Sequence, residues 1–196
     1  TVAAERGLPT YRVLADPEAR AAAERLRRRT LFMGLSDGAR IDTVRHTNAG
    51  LFSNEQLVQG IQVDKEKWQD LLDNLRADQK DPEARFRLVY LIDDFAGTGT
   101  SFLRYDDAKT KWKGKLFRFR DSIESAVNGF DGDGLFTPDW ELCIHHYVAS
   151  SAAATAIERR LEEAGAALAG DGWAQAMHAS FGMILPPDLP IDAVPG

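Results

Sequence analysis

The sequence predicts an α/β fold: a mostly parallel sheet flanked by helices. Three observations carry this. Short apolar runs such as Leu88–Ile92 and the stretch Glu141–Ala149 read as strands. Between them lie longer segments whose apolar residues recur at helical spacing. The chain is also long enough, at 196 residues with 44% hydrophobic, for one domain with a real core, and it shows no internal repeat or long linker.

Asp16-Pro17-Glu18 is a helix start: a capping side chain, Pro at the first helical position and an acid in the first turn. That Ala-rich helix closes on Arg27, Arg28 and Arg29, cations placed where the helix dipole favours them. Leu31 to Leu35 reads as a short strand running into a Ser-Asp-Gly turn. Ser53 and Gln56 form a capping-box pair, with Phe52 placed to staple onto Leu57, which predicts a second helix from Ser53. A third spans Asp64 to Gln79, with Trp68, Leu71, Leu72 and Leu75 on one face, and Asp81-Pro82 ends that segment. The strand Phe86 to Ile92 follows, then a Gly/Thr turn, with a new helix expected at Ser101. "YDDAKTKWKGK" reads as a polar hairpin or loop. Leu116, Phe119, Ile123, Val127 and Phe130 recur at helical spacing, with Gly129 a natural stop. Glu141 to Ala149 is the next strand. Thr155 and Glu158 suggest a capping box in the Ala-rich helix that runs to about Ala169, and Phe181 to Leu185 is a last strand.

The totals narrow the function. A formal charge of −6 and a pI near 5.2 argue against a broad nucleic-acid or anionic-membrane surface, so nucleic acid is not expected as the primary ligand. A lone cysteine, Cys143, leaves no internal disulfide and suits a reducing, cytoplasmic compartment. No apolar run approaches the roughly 20 residues a spanning helix needs. The chain starts at Thr1 rather than Met and ends in a Pro-rich tail, which suits an excerpt of a longer polypeptide.

"LVYLIDDFAGTGTS", Leu88 to Ser101, carries the chemistry. In a parallel sheet, ligands bind beyond the carboxyl ends of the strands, where Asp93 and Asp94 stand. A turn of small residues can aim successive backbone N–H groups into one concavity, and a helix starting at Ser101 would add its positive end. Hydroxyls of Thr98, Thr100 and Ser101 add donors. The expectation is a phosphate in the turn with two carboxylates beside it, as a sugar phosphate would require. A P-loop would need Gly-Lys-Ser/Thr, and a dinucleotide fingerprint Gly-x-Gly-x-x-Gly; neither is present here.

Ile92-Asp93-Asp94-Phe95-Ala96-Gly97-Thr98-Gly99-Thr100-Ser101 resembles the signature of the type I phosphoribosyltransferases. The resemblance implies one phosphoribosyltransferase-like domain over 1–196, with a helical extension at 1–30 and an insertion at 104–139. It implies that Asp93 and Asp94 face the ribose hydroxyls of phosphoribosyl pyrophosphate and that Ala96, Gly97, Thr98, Gly99, Thr100 and Ser101 cradle its 5′-phosphate. Mg²⁺ would come with the pyrophosphate and ribose rather than in a protein cage. Three functions are open: transfer of the phosphoribosyl group with release of pyrophosphate; non-catalytic sensing of a ribose phosphate or nucleotide, with a protein partner or oligomer reading out the signal; or an effector module with a degenerate pocket. The phrases "LSDGAR…VR" and "DDFAGTGTSFLR" are similar to the divergent phosphoribosyltransferase-like proteins of bacterial conflict and defence systems.

The chain departs from the family pattern in three places. Gly97 stands where many relatives carry Thr, and where the purine-salvage group carries an Asp proposed as general base. The crossover from Phe102 to Asp139 is longer than a single helix. The pyrophosphate loop is not obvious; "LSDGAR" is the best candidate, with Ser36 and Arg40 as anion-holding groups, and an ordinary surface turn explains it equally well.

Other residues have plain readings. His145 and His146, adjacent on a strand, point to opposite faces and do not readily share a metal. Asp131 to Gly134, "DGDG", lacks the remaining ligands of a calcium loop and reads as a turn. Arg25, Arg27, Arg28 and Arg29 form a solvated helix end, and Trp112 with Lys111, Lys113 and Lys115 makes either a basic flap or an exposed loop.

Overall fold

The computed structural model describes residues 2–127, 134–170 and 173–189. A short helix, α1 (Val2–Glu5), and α2 (Pro17–Arg28) pack together and lead into strand β1 (Thr30–Gly34). Then come α3 (Ile41–Thr47), β2 (Leu57–Val58), α4 (Lys65–Gln79) and β3 (Phe86–Ala96). A small hairpin of β4 (Arg104–Asp106) and β5 (Lys111–Lys113) precedes α5 (Lys115–Val127), β6 (Phe136–Ser150), α6 (Ser151–Leu168) and β7 (Ala176–Leu185). The main sheet has the order β2-β1-β3-β6-β7 and every pair in it is parallel, while β4 and β5 pair antiparallel outside it. The α/β class with helices flanking a parallel sheet is therefore observed.

Local chemistry starts the helices where the sequence signals them. Asp16 Oδ1 accepts from the Ala19 amide at 2.7 Å, with Pro17 next in line, and Asp64 Oδ1 accepts from the Lys67 amide at 2.7 Å. The arginines closing α2 are not merely solvated: Arg28 bonds Asp78 of α4 at 2.7 Å and Arg29 reaches Asp81 at 3.6 Å.

Four local expectations are corrected. The capping box at Ser53 and Gln56 forms but opens only the single 3-10 turn Asn54–Gln56 before β2. Gln56 is buried and its amide ties the end of α2 to β1, donating to the carbonyls of Arg27 (2.6 Å) and Thr30 (2.7 Å); this tertiary duty stops a longer helix. No helix starts at Ser101, because the chain there turns into β4. Helix α6 starts at Ser151, capped by Ser150 at 3.0 Å, so Thr155 lies inside it. Strands β3 and β6 both outrun their apolar runs, so Asp93 and Asp94 lie within β3 rather than after it. The helix Ile41–Thr47 was not anticipated. Gly129, Phe130 and residues 131–133 of the "DGDG" turn lie outside the described residues, as does the Pro-rich tail from residue 190.

The main core fills the space between one face of the sheet and α4, α5 and α6. Trp68, Leu71 and Leu75 of α4 meet Leu116, Phe119 and Ile123 of α5 and Ile157 and Leu161 of α6 over Val89, Leu91 and Ile144. A smaller cluster on the other face joins Ile92 and Phe32 to Ile41 and Val44 of α3. No helix among the described residues is long and apolar enough to cross a membrane.

This strand order positions the site. The chain leaves β1 for β2 on one side, while β3 lies on the other. Loops leaving β1 and β3 therefore part in opposite directions, and the opening between them is where an open parallel sheet binds ligands.

Candidate functional site

Two loops form the crevice at the carboxyl ends of β1 and β3. From β1 comes Leu35 to Arg40, with Asp37–Ala39 in a 3-10 turn; from β3 come Asp94 and the Gly/Thr turn. The first loop is laid directly on Asp94: a Cβ added at Gly38 would stand 2.2 Å from Asp94 Oδ2. Glycine lets the loop backbone lie against the Asp94 carboxylate, which a side chain at this position would displace.

The two aspartates do not act as a pair. Asp93 is buried, pointing to the face where His146 is its register partner on β6. It accepts from the Ser36 hydroxyl, from Lys115 Nζ at 2.5 Å and from the Asp94 amide at 3.3 Å. Asp94 is exposed, with Oδ1 accepting from the Phe95 amide at 2.8 Å. Successive residues of a strand face opposite sides of the sheet, and β3 continues through both aspartates. The expectation that both carboxylates face one sugar is thereby corrected to one exposed acid, Asp94, and one buried acid, Asp93, already held in an ion pair. Ser36 is corrected too, because its hydroxyl is spent on Asp93 rather than presented to an anion.

The turn from Gly97 to Ser101 has its carbonyls held by the protein. Gly97 O accepts from the Ser150 hydroxyl at 2.7 Å, and Thr98 O from Arg160 Nη1 at 3.0 Å. Gly99 O accepts from the Leu103 amide at 3.0 Å, Thr100 O from Arg104 Nη1 at 3.0 Å, and Ser101 O from the Lys115 amide at 3.1 Å. The amides behave differently: among the described residues, those of Thr98, Gly99 and Ser101 donate to no protein acceptor, and that of Thr100 reaches only Thr98 Oγ1, at 3.4 Å. With its oxygens tied inward, the turn is left with donors to offer, which is the electrostatic requirement of an anion cup. The exposed hydroxyls of Thr98 and Thr100 lie 2.8 Å apart on it.

Gly99 makes the bend possible. Its φ is +67°, and a Cβ there would meet Ile157 Cγ1 of α6 at 2.7 Å. Ala96 is the buried end of β3, paired with Ala149. Ser150 has two tasks, capping α6 and holding Gly97. The expected helix at Ser101 is absent; instead the first residue of α5, Lys115, donates its amide to Ser101 O of the turn and its ammonium to Asp93 of β3.

Beside the β1 loop lies a cavity of about 350 Å³, lined by Ser36, Asp37, Gln59, Gln62 and Arg118 among others. Arg40 is exposed, in the left-handed region at φ 51°, and has no ion-pair partner among the described residues. The sequence offers Lys115 only as part of a basic flap, not as the partner of Asp93, and does not point to Arg118, Ser150 or Arg160 as site residues. Of the latter three, Ser150 alone carries a local signal, a capping residue between a strand and an Ala-rich run.

His146 is buried against the Phe102 edge (5.4 Å between ring centroids) and the Phe181 face (6.0 Å). Neither ring nitrogen has a hydrogen-bond partner. Burial lowers its pKa, opposed by the nearby Asp93 charge. His145 faces the other way, its Nδ1 2.9 Å from Ser180 Oγ. Burial raises the Cys143 thiol above its ordinary pKa. No three His, Cys, Asp or Glu side chains among the described residues converge as a metal site. Set against models of protein families, curated proteins and solved structures, the chain matches none of them.

Proposed function

We propose that this crevice binds a ribose 5-phosphate unit, with phosphoribosyl pyrophosphate as the fullest ligand. The observation that carries the reading is the turn at Gly97–Ser101, whose carbonyls are bonded into the protein while the amides of Thr98, Gly99 and Ser101 have no acceptor among the described residues. A phosphate would accept from those amides and from the Thr98, Thr100 and Ser101 hydroxyls, charge-assisted bonds stronger than neutral ones. Asp94 is the exposed carboxylate at hand for the ribose hydroxyls, and Asp93 positions the loop through Ser36 and Lys115. A pyrophosphate would lie toward the β1 loop, with Arg40 and Arg118 as the neighbouring cations. Mg²⁺ would be held by ligand oxygens with Asp94 beside them, and would supply neutralisation of the leaving pyrophosphate.

Transfer would form a bond from an acceptor to C1′ and break the C1′–O bond to pyrophosphate. Asp94 would orient the ring during that step. A second reading, sensing without transfer, is favoured by two observations: Asp93 is neutralised by Lys115, and Gly97 supplies no general base. Calorimetry with ribose 5-phosphate and with phosphoribosyl pyrophosphate, each with Mg²⁺, tests the shared claim, and a pyrophosphate-release assay over a panel of bases separates the two. Binding lost in Asp94→Asn supports the site, and release of pyrophosphate makes it an enzyme. No binding of either sugar phosphate at millimolar concentration refutes both readings.

A further inference from the structure

We propose that the groove between the β4–β5 hairpin and α5 is a second ligand site, one that takes a nucleoside monophosphate: a planar base carrying a phosphate. The groove encloses about 910 Å³, within the size range of small-molecule sites. Its walls combine two kinds of group. Trp112 and Tyr105 come from the hairpin, rings edge to face at 5.4 Å, and Phe117 comes from α5; Tyr105 keeps 43% of its surface exposed. Arg104, Lys111, Lys113 and Arg118 line the same space against a single carboxylate, Asp121.

Two of those cations are already engaged. Lys113 is paired with Asp106 at 2.5 Å, and Arg104 is held by Thr100 O. Lys111 and Arg118 are exposed and have no carboxylate partner among the described residues. An inorganic anion would use the cations and waste the rings; an apolar ligand would do the reverse. A base stacked on Trp112 with its phosphate toward Lys111 uses both. The groove is large enough to admit one such unit, and the chain's net charge of −6 disfavours a long polyanion.

This site does not include the Gly/Thr turn, since residues 97–101 do not line it, although Arg118 borders both this groove and the cavity beside the β1 loop. It is nevertheless fastened to the crevice. A Cβ at Gly114 would stand 2.2 Å from Phe102 O, and the Leu116 amide bonds that same carbonyl at 3.2 Å. The proposal does not depend on sugar phosphate binding at the Gly/Thr turn.

The test is titration of the whole chain with adenosine and guanosine 5′-monophosphates, followed by tryptophan fluorescence and by calorimetry. Saturable quenching is expected, absent in Trp112→Phe. Trp112→Ala should weaken binding about tenfold, the loss expected for one stacked base. Lys111→Gln, a change at an exposed side chain that leaves the fold alone, should weaken binding severalfold and flatten its salt dependence. Ribose 5-phosphate, which lacks the base, should not compete. Competition by ribose 5-phosphate, unchanged affinity in both Trp112→Ala and Lys111→Gln, or no nucleotide binding at millimolar concentration would each overturn the proposal. Much tighter binding of a single-stranded oligonucleotide than of the mononucleotide would overturn it in favour of a nucleic-acid track.

Discussion

Replacing Lys115 by Met keeps the length and apolar stem of the side chain but strips the counter-ion from Asp93. Asp93 is 1% exposed and cannot recover its hydration, whereas 17% of the Lys115 side chain remains open to water. Removing one partner of a buried ion pair costs about 3–5 kcal/mol. The partial exposure of Lys115, with the Ser36 hydroxyl still donating to Asp93, points to the lower end, about 3 kcal/mol. That is about a hundredfold in the folding equilibrium. With a urea slope of about 2 kcal/mol per molar, the unfolding midpoint should fall by about 1.5 M. The double variant Asp93→Asn, Lys115→Met removes both charges while leaving an acceptor for Ser36, so it should regain at least about 1 kcal/mol over the lysine variant alone. Urea unfolding of the wild type, both single variants and the double variant measures this directly. If Lys115→Met costs under about 1 kcal/mol, or if the double variant is additive, the two groups are not paired in solution and the account of Asp93 as a buried tie fails.

Four further outcomes follow from the same geometry. Gly99→Ala forces a side chain to φ +67° and into Ile157, so it should cost about 2–4 kcal/mol in urea unfolding and abolish ribose 5-phosphate binding. Gly38→Ala should push the exposed Asp94 carboxylate aside at little cost in stability, and calorimetry should then show weaker sugar phosphate binding at an almost unchanged melting temperature. Ser150→Ala loses the cap of α6 and the bond to Gly97 O, for about 2 kcal/mol by the same unfolding assay. His146 has a folded pKa below its ordinary value of 6.5, so the unfolded chain takes up the proton first. Stability should therefore hold above pH 6.5 and fall as pH drops below it, and His146→Phe should lose less than the wild type between pH 7.5 and 5.

The sequence by itself determined whatever depends on neighbours in the chain. Asp16 and Asp64 start their helices because a carboxylate three residues ahead reaches a free amide. Residues 97–101 bend because their composition allows little else, and the strand leading into them is visible as an apolar run. Tertiary structure decided what each of these features meets. The carboxylates at positions 93 and 94 look alike in sequence, yet one faces the core side of the sheet and the other the crevice, and only the lysine opening α5 shows which is neutralised. Ser53 and Gln56 carry a sound helix signal, overridden because the glutamine is needed against Arg27 and Thr30. Likewise no local pattern could show that Ser150, at the end of β6, and Arg160, in α6, would hold the turn's oxygens and leave its amides free. Side-chain alternation and capping operate over a few residues, whereas burial and pairing depend on which distant element covers a face.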